Sequence, residues 1–268
     1  MANIETDRSP HAERPQLDIP TLIDQQAKLA EEYDPHVLKG KLRNALNEMP
    51  YLTRPQRKGI NEALTVAEHA HKHHRRKLSQ APYITHPLIV TLGVIEIGGK
   101  DTVSPDTIKA TLLHDTWEDN PAEVNEEKLR DQFGEDVAYI VKAVTHTRNG
   151  RTLDKATEYY PGIKQADQER PELYIAELKT ADRLNNLLDT RIVPVNRKWI
   201  PTQQKQQQAR DIFESAVRDT EQSLIPNALS HRPDLQAILI EGIERARHAL
   251  QRDETIVFQN SSNSIVEK

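Results

Sequence analysis

The stretch Leu112-Leu113-His114-Asp115-Thr116-Trp117-Glu118-Asp119 constrains this chain more than any other. It closes a helical pattern that opens at Ser104-Pro105, a natural N-cap followed by proline in the first turn. The pattern predicts one helix over 104–119. On it His114 lies one turn from Glu118, and Asp115 one turn from Asp119, so all four polar groups share one side. Ile108, Leu112 and Leu113 precede them, which puts the cluster at the end of a buried face. Three acids and an imidazole that close need something positive among them, and a divalent metal is the simplest candidate. Taken alone, the stretch fits a second reading equally well, a solvated acidic helix end that happens to hold a histidine.

The 268 residues suffice for one domain with extensions or for two small ones. Charged residues are plentiful while aromatics and glycine are scarce, a profile that suits helices. A net charge of −5 implies no general attraction to nucleic acid, so an anion site has to be built locally. The absence of cysteine rules out disulfides, cysteine-based zinc sites and thiol nucleophiles. No apolar run is long enough to span a membrane, and the polar N-terminus lacks a signal-peptide core. The expectation is a cytoplasmic protein that binds neither membrane nor nucleic acid.

Residues 1–18 carry Pro10 and Pro15 without any period and read as an arm. Modest amphipathic patterns follow over 19–33 and 36–48. The main domain starts near Tyr51, where Thr53 caps a helix with Pro55 in its first turn. That helix runs on into His73-His74-Arg75-Arg76-Lys77. Tyr83-Ile84-Thr85-His86-Pro87 leads into an apolar helix that stops at Gly98-Gly99. Asn125 starts a short helix ending at Phe133-Gly134, and Val137, Ile140, Val141 and Val144 mark the next. Residues 146–170 read as a long polar loop, 171–190 as a strong helix, 202–224 and 233–251 as two more. The tail from about 253 reads as loose, with a weak strand signal at 255–258. The class is all-α. The division is an N-terminal arm with short helices over 1–50, a main domain over 51–225, and a C-terminal helix with its tail over 226–268. The terminal segments are candidates for a partner surface or a homo-oligomer contact.

Two further residues join the cluster. His86 is fixed in a loop-to-helix corner by Pro87, and Asp182 is flanked by Ala181 and Leu184 on an otherwise apolar helix. A buried carboxylate is costly unless it is paired or bound to metal. His86, His114, Asp115 and Asp182 supply two imidazoles and two carboxylates, a set that suits a first-row divalent ion. Mn²⁺ is favoured where oxygen ligands matter, with Fe or Zn also open.

With these residues in view, the chain resembles the HD phosphohydrolase superfamily through its H…HD…D signature. More narrowly it is similar to the hydrolase domains of RelA/SpoT-type alarmone enzymes and the small alarmone hydrolases. Pro82-Tyr83-Ile84-Thr85-His86-Pro87, the LLHD and ED pairs of 112–119, Phe133-Gly134 with Val141 to Thr145, and Lys179 to Asn186 carry the likeness. It covers about residues 55–190. The resemblance implies an all-α HD-type helical bundle with extra terminal helices. It also implies one Mn²⁺ on His86, His114, Asp115 and Asp182. Glu118 and Asp119 would orient or deprotonate the attacking water, Asn186 would contact the nucleoside, and Arg75-Arg76-Lys77 would contact the nucleotide. His69, His71, His73 and His74 read as a surface or packing cluster rather than a second metal site. Thr180, Asn185, Leu188 and Asp189 depart from the family pattern and are expected to face the nucleoside pocket.

The activity implied is removal of 3′-pyrophosphate from (p)ppGpp-like alarmones. The segment after Thr190 reads as helices, where a nucleotidyl-transfer domain needs a sheet, so a hydrolase without synthetase is expected. The alternatives are another HD nucleotide phosphohydrolase, such as a nucleotidase or dNTP triphosphohydrolase, or a non-catalytic nucleotide-binding module.

Overall fold

The computed structural model describes residues 17–189 and 203–263, leaving aside the side chains of 203–206 and 251–263. All but the last two residues of the predicted arm, and the end of the tail, lie outside that description. The described residues form a mostly helical bundle. Its helices in chain order are α1 (Ile19–Ala30), α2 (Pro35–Asn47), α3 (Arg54–Ala70), α4 (Thr85–Gly98), α5 (Pro105–Leu113), α6 (Thr116–Asp119), α7 (Glu126–Phe133) and α8 (Glu135–Val144). A hairpin of β1 (Thr147–Arg148) and β2 (Arg151–Thr152) follows, then α9 (Tyr160–Glu169), α10 (Ile175–Leu188), α11 (Gln203–Asp219), α12 (Ile225–Asn227) and α13 (Pro233–Asn263).

Local chemistry sets the helix starts. Thr53 and Gln56 form a reciprocal capping box at α3. Ser104 and Asn125 accept the Thr107 and Lys128 amides at α5 and α7. Every residue of α4 except Glu96 is buried, and α10 is buried nearly all round, so these two helices form the centre. They pack along each other, with α5 and α2 against α4 and α13 and α1 against α10. Where they cross, Gly93 faces Ala181. A Cβ added at Gly93 would stand 3.2 Å from the Ala181 Cβ, so the small residue permits the approach. That approach brings His86 at the start of α4 to Asp182 on α10.

Four expectations are corrected. Helix α3 stops at Ala70, and Arg75 forms an antiparallel bridge with Pro82 instead of extending the helix. The helix predicted over 104–119 breaks at His114–Asp115. There the Thr116 hydroxyl donates to the Leu113 carbonyl at 2.6 Å and His114 Nδ1 meets the Thr111 carbonyl at 2.8 Å. Side chains thus take carbonyls that the backbone ladder would otherwise use. The loop read over 146–170 contains the hairpin, a π-helical turn (Lys155–Tyr159) and α9. Pro161 occupies the first turn of α9 rather than breaking it, and Tyr159, Tyr160, Ile163 and Ala166 are buried. Finally, the backbone is helical to Asn263, through both the predicted loose tail and the 255–258 strand signal.

Candidate metal centre

The centre is assembled from three helix ends and one helix interior. His86 projects from the first turn of α4, His114 and Asp115 occupy the break between α5 and α6, and Asp182 sits in α10. His86 Nε2 lies 3.4 Å from Asp115 Oδ2 and 3.3 Å from Asp182 Oδ1; His114 Nε2 lies 3.2 Å from Asp115 Oδ2. The sequence placed these four residues together, and the structure brings them together.

Both imidazoles are locked in one tautomer. The His86 Nδ1 contact at 2.6 Å is to the Asn185 amide oxygen, and the His114 Nδ1 contact at 2.8 Å is to the Thr111 carbonyl. Each partner only accepts, so each Nδ1 carries a proton and each Nε2 is the ring nitrogen turned inward. His114 Nε2 is buried, 3.2 Å from Asp115 Oδ2 and without a regular hydrogen-bond partner. The carboxylates are held as firmly. Tyr83 donates to Asp115 Oδ2 at 2.8 Å, Lys179 to Asp182 Oδ2 at 2.7 Å, and Asn186 Nδ2 to Asp182 Oδ1 at 2.7 Å. An inward-facing orphan nitrogen and two oriented carboxylates fit a divalent cation, and the outer partners are of the kind that fix metal ligands.

The electrostatics agree. Burial opposes a carboxylate at Asp182, but Lys179 outweighs it, with His86 and His114 adding to the effect, and holds the group well below the usual carboxylate range. Burial also opposes a charged ring at His114. The Asp115 carboxylate, with Asp182 behind it, outweighs that and holds the imidazole at about 9. Without a cation, a proton therefore takes the cation's place.

Glu118 and Asp119 face different ways because the helix breaks before them. Glu118 Oε2 accepts the His146 amide at 3.1 Å and the Thr147 amide at 3.4 Å, which ties α6 to β1. Asp119 turns toward His71 and His74. Burial drives the His71 ring down to about 4, so it is neutral at physiological pH.

Within the basic run the three residues differ. Arg75 and Lys77 are exposed and Arg76 is buried. Arg76 donates through Nε to Asp189 Oδ2 at 2.6 Å and through Nη2 to Asn186 Oδ1 at 3.1 Å. Asn186 thus bridges Arg76 to Asp182. Arg76→Ala leaves the half-buried Asp189 carboxylate without its counter-charge and is expected to cost about 1–3 kcal/mol, read as a shift in the urea midpoint. An unchanged midpoint would contradict the pairing. Lys77 lines an open cavity of about 650 Å³ with Lys155, Arg183, Asp219 and residues of α11.

Among the pattern departures, Thr180 and Leu188 are buried, and Asn185 contacts His86 Nδ1. Only Asp189 points toward the basic run. Asn185, Tyr83 and the carboxylate-pairing role of Lys179 were missed from sequence. The spacing of Asn185 from Asp182 gave no signal, because its partner is remote in sequence.

The bundle gathers His86, His114 and Asp115 into one candidate metal-ligand group, with Asp182 beside His86, an arrangement of the His-Asp kind. The chain belongs to the HD domain family, whose model matches residues 63–215, more than half of it. It is 36% identical over 128 residues to a guanosine-3′,5′-bis(diphosphate) 3′-pyrophosphohydrolase of Aquifex aeolicus, covering 48% of this chain and 17% of that protein. It is 33% identical over 159 residues to the guanosine-3′,5′-bis(diphosphate) 3′-pyrophosphohydrolase MESH1 of Mus musculus, covering 59% of this chain and 80% of that protein. It is 30% identical over 146 residues to the bifunctional (p)ppGpp synthase/hydrolase SpoT of Escherichia coli, covering 53% and 20%. The chain thus matches about a fifth of the length of these bacterial relatives. Among the described residues no helix is long and apolar enough to cross a membrane.

Proposed function

We propose that this chain is a divalent-metal-dependent phosphohydrolase that removes pyrophosphate from the 3′ position of a nucleotide of the guanosine-3′,5′-bis(diphosphate) type. The reading is carried by the convergence of His86, His114, Asp115 and Asp182, with both Nε2 atoms turned inward. The substrate is supported by the likeness to relatives that bear that activity in their names. The four residues would hold the ion, and their mixed nitrogen and oxygen donors favour Mn²⁺. A divalent ion bound there lowers the pKa of a water and polarises a phosphoryl oxygen.

The remaining roles belong to the chain. Glu118 takes the proton of the attacking water. Its Oε2 is held by two backbone amides, which leaves Oε1 to receive the proton. Asp119, in the same turn, faces away from Glu118 toward His71 and His74 and is left to orient the site from that side. The water oxygen bonds to the phosphorus next to the ribose. The bond from that phosphorus to the 3′ oxygen breaks, pyrophosphate leaves, and a proton goes to the 3′ oxygen. Lys77, Lys155 and Arg183 offer cations to the substrate's remaining phosphates across the cavity they line. Arg76 and Asn186 shape the nucleoside side of the site, with Arg75 at its exposed rim.

Ion-exchange analysis of products tests the substrate. Pyrophosphate and a 5′-diphosphate nucleoside are expected from ppGpp. Orthophosphate from nucleoside monophosphates, or triphosphate from dNTPs, with ppGpp untouched, would replace the proposal by another HD phosphohydrolase.

The raised His114 value gives a second expectation. The imidazole carries a proton in the metal-free protein, and metal uptake has to displace it. Mn²⁺ binding at pH 7.5 is therefore expected to release protons, and affinity to rise with pH up to about 9. By the same sign, His114 stabilises the metal-free fold below pH 6.5. That contribution is lost as pH climbs through about 9. Calorimetric titration in buffers of different ionisation enthalpy reads the released protons. Buffer-independent heats would contradict the assignment.

A further inference from the structure

The residues read from sequence as a packing cluster include a second constellation. His71 Nδ1 lies 3.4 Å from His74 Nδ1 and 3.5 Å from Asp119 Oδ2, and His74 Nδ1 lies 3.7 Å from the same oxygen. These donors come from the turn after α3 and from α6, so folding alone brings them together. The His71 side chain is fully buried, while those of His74 and Asp119 are 38% and 32% exposed, which leaves an opening to solvent on one side.

Hydrogen bonding does not account for this arrangement. Asp119 Oδ2 is too far from either ring for a normal hydrogen bond, and its carboxylate takes none among the described residues. A single proton between the two Nδ1 atoms joins the rings and does nothing for the carboxylate, while a cation would engage both Nδ1 atoms and the carboxylate together. Zinc bonds to nitrogen and oxygen of about 2.0–2.2 Å in a tetrahedron space their ligands about 3.3–3.6 Å apart. Two of the edges, 3.4 and 3.5 Å, fall within that spacing, and the third, 3.7 Å, lies just above it.

We propose that His71, His74 and Asp119 form a second divalent-metal site, tetrahedral and zinc-selective, with its fourth position open to an oxygen of water or phosphate. Tyr83 stands between the two centres. Its ring centroid is 4.7 Å from that of His71 and 5.6 Å from that of His86, and its hydroxyl donates to Asp115. Asp119 then acts on the reaction through a metal rather than as a base, and Glu118 is left as the proton acceptor. The metal assignment stands on the geometry of the triad. The phosphate role rests on the phosphohydrolase reading above.

The test counts zinc bound to the chelator-stripped full chain by equilibrium dialysis and elemental analysis. Two equivalents are expected for the parent chain, and one each for His74→Ala and Asp182→Asn. His73→Ala, an exposed neighbour outside the triad, is expected to keep two. His74 is partly exposed, so its replacement leaves the core alone. Loaded with Co²⁺, the parent is expected to show the intense visible bands of a four-coordinate ion, lost in His74→Ala and kept in Asp182→Asn. Equal zinc in the parent and His74→Ala would overturn the site. So would a loss in His73→Ala as large as in His74→Ala, since the histidine-rich run would then be binding zinc loosely. If zinc is unchanged in Asp182→Asn but lost in His74→Ala, the first centre fails and this one stands.

Discussion

Asp182→Asn is expected to abolish Mn²⁺ binding at the HD centre and turnover together, while the protein stays folded. The Asp182 carboxylate gathers His86, Lys179 and Asn186 about it, and Lys179 is buried with it. Alanine at this position leaves the Lys179 ammonium buried without a partner, which costs about 3–5 kcal/mol. Asp182→Ala therefore loses metal, activity and stability at once. Asparagine keeps an oxygen for Lys179 and the shape of the side chain, so it separates the chemistry from the fold. Bound Mn²⁺ is read by electron paramagnetic resonance and folding by the thermal midpoint. A variant with full Mn²⁺ occupancy would remove Asp182 from the ligand set.

Glu118→Gln is expected to keep the metal and lower kcat by about 10²–10⁴-fold, the usual worth of a positioned general base. Glutamine retains a carbonyl oxygen that accepts the His146 and Thr147 amides, so the hairpin keeps its place. What it loses is the capacity to take a proton. The loss should lie in kcat with little change in KM, because Glu118 touches none of the residues assigned to the nucleotide. Turnover at the parental rate would exclude Glu118 from the proton transfer.

The contrast between these two residues shows what the sequence disclosed. Asp182 was legible because a carboxylate in a run of leucines and alanines has to be compensated, whatever the fold. Helix periods and caps such as Thr53, Ser104 and Asn125 marked the bundle for a similarly local reason. The break at His114–Asp115 was not legible. It arises from competition between side chains and backbone for the same carbonyls, and no apolar period records that. It turns Asp119 away from Glu118, which helical spacing had placed on one face with it. The contact of Asn185 with His86 was hidden for another reason: His86 reaches it only through the crossing of α4 and α10. Helix α9 was hidden by Pro161-Gly162, a pair that marks turns in most settings and here sits in a helical first turn.

The decisive measurement is ppGpp turnover by the metal-stripped protein with and without Mn²⁺, with Asp182→Asn run alongside. Pyrophosphate and GDP are expected from the parent only when Mn²⁺ is added, and from Asp182→Asn under neither condition. Undiminished hydrolysis by the stripped parent, or an intact ppGpp pool after Mn²⁺ is shown to be bound, would contradict the proposed activity.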